Sequence, residues 1–230
     1  FLDYEHPLDI FAHLLVGAEG TLAFISQVTL NTVPDPPLKT TGLVLFDSVD
    51  KTIQALPMLI DAGADAVELL DDASLRTVQY LKTPPFDSKI IRTDMAGLLF
   101  EFQKYNQHSI DKLVKNIPIE LQKVGCVLSF GPTEDEATRI QLWNLRKGLY
   151  PTVGAMREKG TSVITEDLCY HYNDLPEVIK ELRIICQKWR YDDSVIFGHA
   201  KEGNLHFAAS MDFNSSDGVK RFDGLLKDMA

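Results

Sequence analysis

The chain has 230 residues, of which 45% are hydrophobic, and a formal net charge of −10 at pH 7. The length and apolar content predict one or two domains with a sizeable core. The acidic balance argues against a nucleic-acid-binding surface. No apolar run reaches membrane-spanning length, and three cysteines without a CxxC pair favour reduced thiols over disulfides or a zinc knuckle. We therefore expect no nucleic-acid partner and no transmembrane segment.

A proline-rich stretch divides the chain near its beginning. The segment NTVPDPPLKT has proline at three of the four positions 34–37. Proline lacks an amide donor and restricts the residue before it, so neither a helix nor a central strand is expected there. The preceding GTLAFISQVTL has the alternating, β-branched character of a strand. We interpret 1–33 as the end of one domain, 34–39 as a linker and 40–230 as a second domain.

Strand and helix patterns alternate after the linker. They run TGLVLF, VDKTIQALPMLIDAG, DAVELL, DDASLRTVQYL, then GLLFEF, SIDKLVKNIPIELQKVG, CVLSF and TEDEATRIQLWNLRKGLY. We expect the first and third helices to end at Gly63 and Gly125. We expect the second helix to be capped by Asp71 or Asp72 and the fourth by Thr133. Two such units predict an α+β fold, a ferredoxin-like antiparallel sheet covered by helices.

The last part of the chain carries two histidines across one turn. After the strand TSVITEDLCY and a helix begun by Pro176, the stretch VIFGHAKEGNLHFAAS contains His199 and His206. Gly203 and Asn204 tolerate positive φ, so an antiparallel hairpin is expected, with both imidazoles on the same side. Such a pair can bind a divalent ion such as zinc or manganese, transfer protons, or pack beside a core. The residues alone leave these three alternatives open.

Three stretches resemble one enzyme family. GHAKEGNLHF is similar to the Gly-His-x-x-x-Gly-Asn-Leu-His motif of FAD-linked oxidoreductases of the vanillyl-alcohol oxidase (PCMH-type) superfamily, in the D-lactate, glycolate and D-2-hydroxyglutarate dehydrogenase branch. LLVGAEGTLAFISQVTLNTVPDPP resembles the Gly-Ser-Glu-Gly-Thr-Leu-Gly segment that ends the family's FAD-binding domain, with Ala18 for Ser and Ala23 for the last Gly. LWNLRKG resembles the Leu-Trp-x-x-Arg segment before the substrate site. The resemblance spans essentially the whole chain and is greatest to large bacterial members fused to an iron–sulfur region.

The resemblance implies a role for each matching residue. His199 and His206 would be metal ligands, Asn204 would point at the substrate, and Arg146 would pair with the substrate carboxylate. A planar guanidinium suits a carboxylate, although the residue type alone equally suits a surface helix. The residues that would line the flavin are Gly17, Glu19, Gly20 and Thr21.

The implied reaction is the FAD-dependent, metal-assisted oxidation of a D-2-hydroxy acid to a 2-oxo acid. The implied metal is zinc or manganese. The implied partners are the hydroxy acid, an electron acceptor and the rest of a parent polypeptide, which would hold the FAD domain and an iron–sulfur cluster. We expect a cytoplasmic protein, with peripheral attachment to the inner membrane as an alternative.

We expect the chain to be a piece of a longer protein, because it begins without Met and ends directly after a helix-like run. The family's third metal ligand and its base belong to a downstream Glu-His-Gly segment that this sequence does not contain. We therefore expect this chain alone to have neither flavin nor turnover.

Two other functions remain open. The chain could be a non-catalytic ferredoxin-like ligand-binding or assembly module. It could also belong to a non-redox flavin enzyme, such as the one that makes ether-lipid precursors. Some family members have a lysine before the aspartate of the strand that follows the arginine helix, whereas Thr165 and Glu166 precede Asp167 here. This departure leaves the substrate's identity open, and we interpret Glu166 and Asp167 as ordinary strand-end carboxylates.

Overall fold

The structure, a computed structural model, describes residues 2–229, which divide after Asp35 into two units. The first unit contains helix α1 (Pro7–Leu15), but residues 23–36 have no regular secondary structure. The predicted last strand of an FAD-binding domain is therefore wrong for this chain. A strand needs a neighbour to satisfy its backbone N–H and C=O groups, and the described residues of the first unit form no β-ladder.

The second unit is built on a seven-stranded sheet in which every neighbouring pair of strands is antiparallel. In chain order the strands are β1 (Leu38–Phe46), β2 (Ala66–Asp71), β3 (Ala96–Lys104), β4 (Leu128–Thr133), β5 (Ser162–Cys169), β6 (Val195–His199) and β7 (Asn204–Met211). Their spatial order is β4-β1-β3-β2-β6-β7-β5.

The helices of this unit connect the strands. They are α2 (Val49–Asp61), α3 (Asp72–Arg76), α4 (Gln107–Val124), α5 (Glu136–Lys147), α6 (Leu149–Met156), α7 (Leu175–Lys188) and α8 (Ser216–Met229). Strand β3 lies between β1 and β2 and is antiparallel to both, so β1 and β2 run parallel and are joined by α2. This is the split β-α-β arrangement of ferredoxin-like folds, and the predicted fold class is confirmed.

Each face of the sheet is covered by its own helices. Along β3, Leu98 and Phe100 belong to one hydrophobic core and Leu99 belongs to the other. This follows because successive side chains of a strand point to opposite faces of the sheet. Helices α2, α4, α7 and α8 supply buried side chains to the first core. Helices α3, α5 and α6 supply the second. The polar site described below lies on this second face.

The ends of most helices follow the predicted chemistry. Asp71 caps α3, with its carboxylate accepting the N–H of Ser74 at 2.7 Å, and Gly125 ends α4 in a left-handed conformation, at φ 90°. The prediction of Thr133 as the cap of α5 is wrong, because Asp135 caps it and Thr133 is the last residue of β4. The Asp135 carboxylate accepts the N–H of Thr138 at 2.8 Å, whereas the Thr133 hydroxyl accepts the N–H of Asp135 itself, at 3.2 Å.

The three cysteines are free, as expected. Between residues 2 and 229, no helix combines the length and the apolar character that crossing a bilayer requires.

Candidate functional site

The turn between β6 and β7 depends on two glycines of the histidine motif. Gly203 ends a short 3-10 turn, at φ 70°, as predicted. Asn204 does not share this conformation, contrary to the prediction, because it is already the first residue of β7. A Cβ atom on Gly198 would lie 2.2 Å from the carbonyl oxygen of Asn204, so glycine there permits the close approach of the two strands.

The hairpin places the two histidines on one face of the sheet. His199 pairs with Asn204 in the β6–β7 register, and His206 lies two residues further along β7, on the same side as Asn204. The imidazole ring centroids are 5.2 Å apart, with the ring planes almost perpendicular at 87°. The structure thus brings together the pair that the sequence predicted.

Each histidine has a carboxylate partner that the sequence analysis did not predict. Oε1 of Glu68 accepts a hydrogen bond from Nδ1 of His199 at 2.6 Å. Asp167, which the sequence analysis interpreted as an ordinary strand-end carboxylate, makes the equivalent contact with Nδ1 of His206. A carboxylate on one ring nitrogen fixes the tautomer and leaves the other nitrogen as an electron-pair donor, as is usual for metal-binding histidines.

Glu68 reaches His199 because of strand pairing. It lies within β2, opposite His199 in the β2–β6 register, and its side chain is only 7% exposed. The sequence did contain a signal, since one glutamate interrupts the apolar run AVELL. A buried carboxylate must be paired, because an unpaired buried charge is strongly unfavourable.

Arg146 completes the cluster from the helix above the sheet. Its Nε donates a hydrogen bond to Oε2 of Glu68 at 2.7 Å, and its guanidinium carbon lies 4.5 Å from the ring centroid of Phe197. Its side chain is 17% exposed, so the alternative of an ordinary surface arginine is excluded. Because the contact with Glu68 uses Nε, the two terminal amino groups remain as possible donors to a ligand.

The local environment favours a neutral imidazole at His206. Burial lowers its pKa, and the positive charge of Arg146 lowers it further. Asp167 acts in the opposite direction, but the net pKa lies below the ordinary value for histidine. The neutral form is the one that binds metals.

The histidine pair fits part of a metal site. Two imidazoles that bind one tetrahedral zinc ion through ~2.0 Å bonds have ring centres roughly 5 Å apart, close to the separation of His199 and His206. Within residues 2–229, no set of three or more histidine, cysteine, aspartate or glutamate side chains is arranged to hold an ion. The described residues therefore offer two ligands and their supporting carboxylates, with the remaining coordination positions open.

A second buried carboxylate lies on the same face of the sheet. Glu101 is two residues from Leu99, which pairs with Glu68 across β2 and β3. Glu101 accepts hydrogen bonds from the Thr41 hydroxyl at 2.7 Å and from Nε1 of Trp143 at 2.8 Å. Arg139, on the same helix as Trp143, forms an ion pair with it at 3.4 Å. Helix α5 thus provides an arginine to each of the two carboxylates, Glu68 and Glu101, but only Glu68 contacts a histidine.

The predicted flavin-lining residues lie in the first unit, directly after α1. Gly17, Glu19 and Gly20 all have positive φ, at 78°, 49° and 74°. A Cβ atom on either glycine would meet nothing within 4 Å, and the Thr21 hydroxyl donates to the carbonyl of Ala18 at 2.6 Å. The segment is an exposed turn whose backbone a ligand can approach closely, which is compatible with a flavin-lining role.

A family comparison identifies the class of protein. The model of the C-terminal domain of FAD-linked oxidases matches residues 35–230, which is most of the chain. The chain belongs to the FAD-linked oxidase family, and its second unit is that C-terminal domain.

Several relatives of this chain are named as dehydrogenases or oxidases of hydroxy acids. The chain is 26% identical to a probable mitochondrial D-lactate dehydrogenase of Danio rerio, covering 95% of this chain and 42% of that protein. It is 26% identical to glycolate oxidase subunit GlcD of Bacillus subtilis, covering 91% and 43%. It is 26% identical to a D-2-hydroxyglutarate dehydrogenase of Pantoea ananatis, covering 92% and 22%. The chain therefore spans less than half the length of these relatives.

Solved structures share the fold. An alkyldihydroxyacetonephosphate synthase superimposes with a TM-score of 0.63 at 14% identity, covering 95% of this chain and 44% of that one. A p-cresol methylhydroxylase with substrate bound superimposes with a TM-score of 0.56 at 14% identity, covering 86% and 43%. At these identities the likeness concerns the fold alone.

Proposed function

We propose that this chain is the substrate-binding part of an FAD-dependent oxidoreductase that converts a D-2-hydroxy acid into the corresponding 2-oxo acid. The candidate substrates are D-lactate, glycolate and D-2-hydroxyglutarate. The observation that carries the proposal is the position of Arg146 beside the His199–His206 pair on one sheet face. Relatives named for these three substrates support it.

In this proposal Arg146 binds the substrate carboxylate. Its Nε is held by Glu68, so the terminal amino groups would donate to the ligand. Its partly buried position against Phe197 supports the role, because a charge-assisted hydrogen bond strengthens as water is excluded.

His199 and His206 would hold a zinc or manganese ion, each through the ring nitrogen opposite its carboxylate partner. Asn204 faces the same side of the sheet and would hydrogen-bond the substrate. In the first unit, the turn that contains Gly17, Glu19, Gly20 and Thr21 would line the flavin.

A metal ion held by His199 and His206 would supply Lewis-acid polarisation of the substrate oxygen, and FAD would supply the hydride acceptor. The residues of this chain bind and orient the hydroxy acid, and the carboxylates of Glu68 and Asp167 keep both imidazoles in the metal-binding tautomer. The electron acceptor, the iron–sulfur cluster, the cytoplasmic location and the assignment of 1–33 to an FAD-binding domain stay predictions.

The first test uses the longer protein to which we propose this chain belongs. Its flavin spectrum is recorded anaerobically, and D-lactate, glycolate and D-2-hydroxyglutarate are added in turn, with and without a chelator. We expect one substrate to bleach the flavin and chelation to prevent the bleaching.

The alternatives have distinct outcomes in the same experiment. A bound flavin that no hydroxy acid bleaches would favour a non-redox flavin enzyme. Absence of flavin would favour a non-catalytic binding or assembly module. Bleaching that persists after complete metal removal would exclude the metal-binding role of His199 and His206.

A further inference from the structure

We propose that Glu68 is a positioning residue that holds the carboxylate-binding arginine and one metal-binding histidine with a single side chain. This inference rests on the proposed function of Arg146 and His199. It adds a residue that none of the three sequence motifs contains.

The geometry divides the two oxygens of Glu68 between two partners. Oε1 accepts from Nδ1 of His199 at 2.6 Å, and Oε2 accepts from Nε of Arg146 at 2.7 Å. The carboxylate is buried and lies in the middle of β2, so its direction is determined by the sheet. A shift of this side chain would therefore move both partners together.

The contact with His199 determines which ring nitrogen can bind a metal. A carboxylate only accepts hydrogen bonds, so the proton of a neutral His199 must lie on Nδ1. The lone pair then lies on Nε2, the nitrogen away from Glu68. The contact with Arg146 has a parallel effect, because it uses Nε and leaves the terminal amino groups for a ligand.

The second histidine provides an internal comparison. Asp167, which contacts His206, is 71% exposed on β5, whereas Glu68 is 7% exposed. Among the described residues Asp167 forms no ion pair with Arg146, and it lies opposite His206 in the β5–β7 register. We therefore expect Glu68 to affect both metal and substrate binding, and Asp167 to affect metal binding only.

Replacement of Glu68 by glutamine separates positioning from packing. In E68Q the amide has the same shape but only one acceptor oxygen. If that oxygen faces Arg146, the amide N–H₂ faces His199, forces the lone pair onto Nδ1 and places the proton on Nε2. If the amide turns over, its N–H₂ faces the Nε–H of Arg146 and that hydrogen bond is lost.

The test compares wild type, E68Q, D167N and E101Q in the longer protein. Long-range ¹H–¹⁵N NMR on ¹⁵N-histidine-labelled, metal-free protein determines the tautomer of His199. EPR titration with Mn²⁺ measures metal affinity. The KM for the hydroxy acid reports on substrate binding by Arg146. E101Q is the matched control, because Glu101 is a buried carboxylate on the same face that contacts a cation but no histidine.

We expect E68Q to move the His199 proton to Nε2 or to raise the KM roughly tenfold or more, and to weaken Mn²⁺ binding by about 10–100-fold. D167N should weaken Mn²⁺ binding without changing the KM, and E101Q should change none of the three. If E68Q does not fold, E68D replaces it, since the shorter side chain keeps the charge but cannot reach both partners.

An E68Q protein with the wild-type tautomer, Mn²⁺ affinity and KM would overturn the proposal. Equal effects of E68Q and E101Q would also overturn it, because they would indicate a general structural role. If wild type binds no Mn²⁺ and oxidises no hydroxy acid, the proposed function fails, whereas the tautomer measurement still decides whether Glu68 positions His199.

Discussion

The backbone N–H of Tyr170 donates a hydrogen bond of 2.9 Å to the carbonyl oxygen of Gly203. This contact joins the end of β5 to the turn between His199 and His206. The two segments approach so closely that a Cβ atom on Gly203 would lie 1.8 Å from the carbonyl oxygen of Tyr170. The second glycine of the histidine motif is thus required both by its positive φ and by the lack of space around it.

We expect G203A to destabilise the protein by about 3 kcal/mol or more, because backbone strain and a backbone clash add. G125A is the control, since Gly125 has φ 90° but a Cβ atom added there would meet nothing within 4 Å. It should lower the free energy of unfolding by only about 1 kcal/mol. Urea unfolding of both variants checks the difference, and equal destabilisation would contradict it.

We expect R146K to raise the KM for the hydroxy acid by roughly 10–100-fold, because lysine lacks both the Nε that contacts Glu68 and the planar donor pair. R139K on the same helix also replaces an arginine that pairs with a sheet carboxylate. Steady-state kinetics of the two variants make the comparison. A similar KM increase in R139K would show that helix docking, not carboxylate binding, is affected.

We expect H199A and H206A each to reduce Mn²⁺ or Zn²⁺ affinity by at least about 10-fold, because each removes a ligand of the proposed ion. H108A, which removes an exposed histidine at the start of α4, should bind as wild type does. Metal content after dialysis against a metal buffer provides the measurement. Unchanged affinity in both site variants would exclude this metal site.

Glu101 should contribute to the pH dependence of stability. Burial would raise its pKa, but hydrogen bonds from Thr41, Gln103 and Trp143 and the charge of Arg139 outweigh burial and lower it below the ordinary value of 4.5. A lowered folded-state pKa stabilises the fold above that ordinary value, and this contribution is lost as the pH falls through the folded-state pKa.

We therefore expect E101Q to be less stable than wild type by about 1–3 kcal/mol at pH 7, with the difference shrinking as the pH falls below 4.5. Urea midpoints measured between pH 7 and pH 3 check this. A difference that stays constant over that range would show that the ionised carboxylate does not stabilise the fold.

The position of β6 should depend on Asp71. Its carboxylate accepts the N–H of Ile196 at 2.9 Å and the N–H of Ser74 at 2.7 Å, and it pairs with Arg183. D71N removes the buried charge that pairs with Arg183 and leaves that guanidinium with the Asp72 pair at 3.6 Å and the Ser194 carbonyl. We expect it to destabilise the protein by about 1.5–3 kcal/mol.

D50N is the control for this prediction, because it breaks the exposed Asp50–Lys180 pair on helices α2 and α7. An exposed pair contributes about 0–1 kcal/mol. Thermal unfolding of the two variants measures both effects, and a loss below about 1 kcal/mol in D71N would contradict the role of Asp71.

Local sequence patterns were sufficient to predict much of the fold. Alternation of apolar residues predicted the strands of the second unit, and caps and glycines predicted most helix ends, because both depend on neighbours within a few residues. The short hairpin turn predicted that His199 and His206 lie on the same side, because the loop between them is local. The strand predicted before the prolines failed for the opposite reason: a strand exists only with a partner.

Only the tertiary structure decided what surrounds the histidines. Glu68 and His199 are 131 residues apart in sequence, and they meet because β2 and β6 pair in one register. Arg146 reaches Glu68 because α5 packs on that face, and Asp167 reaches His206 because β5 pairs with β7. The sequence by itself determined the elements and the presence of the two imidazoles. Which charged side chains contact the imidazoles was determined by long-range strand register and helix packing. Register and packing depend on burial summed over the whole chain, which local patterns do not contain.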